Sequence, residues 1–128
     1  MVTEAEINCC VGLGANPDRE GFVTLDASIM DEKGNCGAVA CLERIKHPIS
    51  VARKVMEQSP HVFLVGSGAQ QFAIEQGFTL EKAELSKDAK EAYLDWLKNS
   101  HYNPVINREN KAHGQSNIKT PFNKFKQS

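Results

Sequence analysis

Residues 22–42 read FVTLDASIMDEKGNCGAVACL, and this stretch decides the fold class. Over residues 22–30, Val23, Leu25, Ala27 and Ile29 alternate with Thr24, Asp26 and Ser28. A period of two is what a strand with one buried face requires. Asp31-Glu32-Lys33-Gly34-Asn35 is turn chemistry, with Gly34 free to take positive φ. A second strand is predicted over 37–42, at hairpin spacing from the first. Its run Ala38-Val39-Ala40 has no polar interruption, which predicts burial on both faces.

Upstream, residues 9–13 read as a further short strand. Gly12-x-Gly14 and Asn16-Pro17-Asp18-Arg19 follow, with Pro17 and Asp18 as turn residues. Glycines there would also let a substrate approach the backbone closely. Downstream, His47 reads as a helix cap and Pro48 sits at a first helical position, where a missing N–H costs nothing. Ile49, Ala52, Val55 and Met56 would share the inward face of that helix, with Arg53, Lys54 and Glu57 opposite. Ser59-Pro60 stops it.

The segment 62–77, VFLVGSGAQQFAIEQG, then reads as strand, Gly-x-Gly turn and helix. The strand is expected over 61–65. Ser67 is the expected helix cap with Gln70 in the capping-box position, and Gly77 the left-handed terminator. Phosphate-cradling sites begin with this pattern. The dinucleotide fingerprint needs a third glycine, where this chain has Gln71, whose side chain would obstruct the helix–strand approach. The Gly66–Gly68 turn is therefore read as a corner and not as a nucleotide site. Ser86 starts a last helix with an apolar stripe of Ala89, Tyr93, Trp96 and Leu97. Residues 107–128 are rich in Asn, Lys, Gln and Ser and read as a solvated linker or tail. Residues 1–106 form the packed unit. Strands first and helices last indicate an α+β architecture and not a doubly wound one.

Composition narrows the function classes. A length of 128 residues allows one domain with a real core, and a net charge of −1 calls for neither nucleic acid nor an anionic membrane. No apolar run approaches the ~20 residues of a membrane span. The first eight residues are acidic and polar, unlike a signal peptide. Either the protein stays where it is made, or the chain starts downstream of its natural beginning. Cys9, Cys10, Cys36 and Cys41 have neither Cys-x-x-Cys nor zinc-finger spacing. They read as small buried or half-buried thiols, and no metal or cofactor is expected. The four histidines are scattered. Asp26 and Asp31 are the carboxylates that could serve acid–base chemistry. Their structural readings are a hydrogen-bonded strand carboxylate for Asp26 and a turn former for Asp31.

Taken together, Pro-Asp-Arg-x-Gly (17–21), VTLDASIMD (23–31), Val-Ala-Cys (39–41), HPISVAR (47–53) and Pro-His-Val-x-Leu-Val-Gly (60–66) form a specific set. On these motifs the chain resembles the glycosylasparaginases (aspartylglucosaminidases), in the family that also holds isoaspartyl peptidases and plant-type asparaginases. The resemblance runs from Cys10 to about Gly77 and continues weakly through WLKNSHYNPVINREN (96–110). It implies an N-terminal-nucleophile hydrolase with an αββα sandwich, made as a precursor that cuts itself at an Asp-Thr bond. The freed threonine starts the β-chain. Its hydroxyl is the nucleophile and its own α-amine the base. Arg and Asp residues of the β-chain hold the α-carboxylate and α-amine of the substrate. In the glycosylasparaginase branch the bond cleaved joins the asparagine side chain to N-acetylglucosamine.

This sequence has no Asp-Thr pair; its threonines are Thr3, Thr24, Thr79 and Thr120. The resemblance therefore implies no catalytic residue on this chain. It implies an α-chain portion, inactive alone, whose partners are a β-chain of the same precursor and, by assembly, an (αβ)2 particle. The position of Cys10 is a serine near the active centre of the relatives, which makes Cys10 the candidate substrate-binding residue; a buried strand thiol is its other reading. Relatives carry a leading strand and helix, with a tryptophan near the substrate, ahead of the region matching Met1. They are periplasmic or lysosomal. Two alternatives stand beside this expectation: an isoaspartyl peptidase or asparaginase of the same family, and a truncated non-catalytic paralogue acting as an interaction protein.

Overall fold

The computed structural model describes residues 12–101. Its elements are strands β1 (Thr24–Met30) and β2 (Cys36–Glu43), helix α1 (Pro48–Gln58), strand β3 (Phe63–Val65), and helices α2 (Gly66–Glu75) and α3 (Lys87–Asn99). The α+β class expected from the sequence is present as a small mixed sheet with helices. The sheet order is β1-β2-β3. β1 pairs antiparallel with β2, and β3 pairs parallel with β2 after the α1 crossover. Residues 9–11 of the first expected strand lie outside the described residues. Gly12 and Leu13 are in a turn and not a strand, closed by the Ala15 N–H on the Gly12 carbonyl at 3.0 Å.

The hairpin forms as its alternation predicts, with Leu25 buried, Ala27 and Ile29 half-buried, and Thr24, Asp26, Ser28 and Met30 exposed. It starts at Thr24 rather than Phe22, because the Phe22 N–H is taken by the Asp18 carboxylate at 2.9 Å while the Asp18 N–H bonds the Phe22 carbonyl at 2.8 Å. Pro17 and Asp18 thus form the expected turn. Asp31 closes the hairpin loop by accepting from the Lys33 and Asn35 N–H groups at 2.9 and 2.8 Å.

β2 departs from expectation. Gly37, Val39 and Leu42 are buried, but Ala38 and Ala40 are only half-buried. The helices cover one face of the sheet, so an uninterrupted apolar run here marks one covered face and one open face. The buried set contains Leu25, Val39, Leu42, Ile45, Val51, Ala52, Val55, Ala69 and Ala73. Each fully buried Leu, Ile or Val contributes about 1.5–3 kcal/mol relative to exposure. Gly37 lets α1 lie directly on β2: a Cβ there would overlap the Ala52 carbonyl oxygen and sit 2.6 Å from the Met56 nitrogen.

Helix α1 has Pro48 at its first position, as expected, and buries Pro48, Val51, Ala52 and Val55. Ile49 and Met56 flank that stripe, half-buried. His47 occupies the N-cap position without a side-chain capping bond. β3 is shorter than the expected 61–65; Phe63 and Val65 are exposed because they lie on the face of the sheet that no helix covers, while Leu64 between them packs against the core.

Helix α2 starts at Gly66, directly from β3, and Ser67 does not cap it. Gln70 is not part of a capping box; its side-chain amide donates to the Glu43 carbonyl at 2.9 Å and ties α2 to the end of β2. Gln71 obstructs nothing, since it faces solvent and bonds Glu75, while Ala69 and Ala73 make the close approach. Gly77 terminates the helix with φ +89°, and the Gly77 and Phe78 N–H groups close on the Ile74 and Ala73 carbonyls. Ser86 caps α3, accepting from the Ala89 N–H at 3.2 Å. The expected α3 stripe is only partly covered: Ala89 is buried, Tyr93 half-buried, and Trp96 and Leu97 exposed. Tyr93 anchors this helix by donating to the Arg19 carbonyl at 3.1 Å.

Candidate functional site

The face of the sheet opposite α1 and α2 is built by the strand register. Ser28 opposes Ala38, Met30 opposes Cys36, Ala38 opposes Phe63 and Ala40 opposes Val65. Directly opposed residues point to the same side of a sheet. One side of this face is apolar, with Met30 69%, Phe63 55% and Val65 51% exposed, next to Val62 at 61%. A shallow groove of about 370 Å³ runs between Met30, Cys36, Ala38, Val62 and Phe63. The other side is polar. Thr24, Asp26 and Ser28 lie along it, and a cleft of about 430 Å³ at the outer edge of β1 joins them to Asn16, Leu25, Ala27, Pro48 and Ile49.

A bulge in β2 separates this arrangement from a plain hairpin. Leu25 pairs with Leu42 and Ala27 with Val39, so Asp26 faces two residues, Ala40 and Cys41. Cys41 takes φ 51°, uncommon for a residue with a side chain, and its N–H donates to the Asp26 carboxylate at 2.8 Å. The hydrogen-bonded strand role is thus the one Asp26 plays. Sequence reading missed the bulge, although a signal existed: Val39 and Leu42, both buried, are three apart in a strand whose period is two. Cys41 and Gln70, with Glu43, Gly66 and Ser67, line a small cleft of about 100 Å³ where β2 and β3 end.

The turn-forming role likewise falls to Asp31. The Asn35 side-chain amide donates to it at 2.7 Å and holds its carboxyl below the ordinary value, helped by backbone N–H groups of Asn35, Lys33 and Gly34. Glu57 raises the Arg53 guanidinium through a 2.8 Å ion pair along α1.

Cys36 is half-buried and Cys41 exposed, both as free thiols. Cys10, the candidate substrate-binding residue, lies outside the described residues, as do Cys9, Thr3, Thr120 and the 107–128 segment. Thr24 and Thr79 are both exposed, Thr24 on the open face and Thr79 beyond α2. Among the described residues no three His, Cys, Asp or Glu side chains gather as a metal site. The chemistry this arrangement offers is a scaffold: a sheet with one face packed and one face presented, polar along β1 and apolar toward β3.

Comparison with known proteins agrees in region. The family described as Asparaginase matches residues 1–126. An N(4)-(beta-N-acetylglucosaminyl)-L-asparaginase of Elizabethkingia miricola is 57% identical over 100 residues, which is 78% of this chain and 29% of that protein. One of Rattus norvegicus is 48% identical over 99 residues, 76% of this chain and 28% of its own length. An isoaspartyl peptidase of Salmonella typhimurium is 51% identical over 86 residues, 60% of this chain and 27% of the peptidase. The chain spans less than a third of the length of these curated relatives.

Proposed function

The chain belongs to the asparaginase family, and on that premise we propose that it is the α-chain portion of a glycosylasparaginase, an amidohydrolase whose catalytic threonine is carried by a β-chain. The observation that carries this reading is the 57% identity to the Elizabethkingia miricola N(4)-(beta-N-acetylglucosaminyl)-L-asparaginase over 100 residues. The open sheet face is in keeping with it: Met30, Phe63 and Val65 present the kind of apolar surface that a second sheet covers in a sandwich. In this proposal the αββα sandwich is completed by the sheet of the β-chain, and two αβ units assemble. Residues 1–106 are the scaffold portion and 107–128 the connector.

The chemistry proposed is acyl transfer. The β-chain threonine hydroxyl attacks the side-chain amide carbonyl of the substrate asparagine, and its α-amine takes the proton. Hydrogen-bond donors stabilise the oxyanion, the glycosylamine leaves, and water releases aspartate. The α-chain supplies a wall of the site, with Cys10 on the substrate side.

The test is co-production of this chain with the C-terminal remainder of the Elizabethkingia miricola relative. Hydrolysis of N4-(β-N-acetylglucosaminyl)-asparagine should require both polypeptides. Hydrolysis by this chain alone would overturn the proposal. Faster turnover of a β-aspartyl dipeptide would favour the second reading, an isoaspartyl peptidase, which the 51% identity to the Salmonella typhimurium enzyme supports. Association without turnover would favour a non-catalytic interaction protein.

A further inference from the structure

We draw no further inference here: the strongest candidate, the cleft of about 330 Å³ between helix α3 and the Asn16–Arg19 loop where Tyr93 and Trp96 stack, is an exposed aromatic face and nothing in the structure shows what covers it.

Discussion

The Asp26 carboxylate and the Cys41 backbone N–H meet at 2.8 Å across the β1–β2 ladder, at the point where the register slips by one residue. The bulge leaves the Cys41 N–H without a ladder partner, and the carboxylate replaces that partner. Asp26 therefore holds an irregular strand in shape.

Replacing it tests this role. Asp26→Ala should lower stability by about 1 kcal/mol, the net worth of one such bond, while Asp26→Asn, which keeps a carbonyl acceptor, should lose less. Urea unfolding midpoints measure both. Equal losses in the two variants would show that the carboxylate's charge, and not its acceptor geometry, matters.

Gly37 is the tightest contact between sheet and helix. Gly37→Ala places a methyl group against the Ala52 carbonyl and the Met56 backbone, so α1 must shift. Neither obstacle is a flexible side chain. The expected loss is about 1–3 kcal/mol, as for overpacked cores. A variant with an unchanged thermal midpoint would mean that α1 moves freely on β2.

Asp31 sets a pH dependence. The Asn35 side-chain amide holds its carboxyl below the ordinary carboxylate value in the folded hairpin. A depressed folded value means that its contribution is complete above the unfolded value and is lost as pH falls through the folded one. The stability gap between the wild type and Asp31→Asn should thus be constant near neutrality and shrink below about pH 4. Denaturant midpoints between pH 7 and pH 3 report it, and a gap that stays level to pH 3 contradicts the assignment.

The open face carries a prediction about association. Phe63→Lys removes an apolar group that is 55% exposed, so stability should change by no more than about 0.5 kcal/mol. Binding of an apolar fluorescent dye should fall, and so should co-purification with the β-chain remainder described above. If Leu97→Lys on α3 reduces co-purification and Phe63→Lys does not, the partner sits on the wrong face for this reading.

Local chemistry was legible in the residues themselves. Asp31 through Asn35 made a turn, Pro48 opened α1, Gly77 closed α2 and Ser86 capped α3, because each depends on groups a few positions away along the chain. The family, too, was readable from motif spacing, and the matched relatives agree with it. Site chemistry was less so: the one residue singled out for substrate, Cys10, lies outside the described residues, and the two candidate carboxylates serve the hairpin.

Sequence alone thus determined the hairpin, the start of α1, the end of α2, the cap of α3 and the family, all governed by short-range bonding or by residue identity. Tertiary structure alone decided the parallel β2–β3 pairing, the Cys41 bulge, the close packing at Gly37, and Gln70 as a tie to Glu43 instead of a cap. It also decided that Ala38 and Ala40 look outward onto an open face. These features depend on which segments meet after the chain turns back on itself. The same apolar run satisfies a strand covered on one side or on two, and only the position of the helices distinguishes the cases.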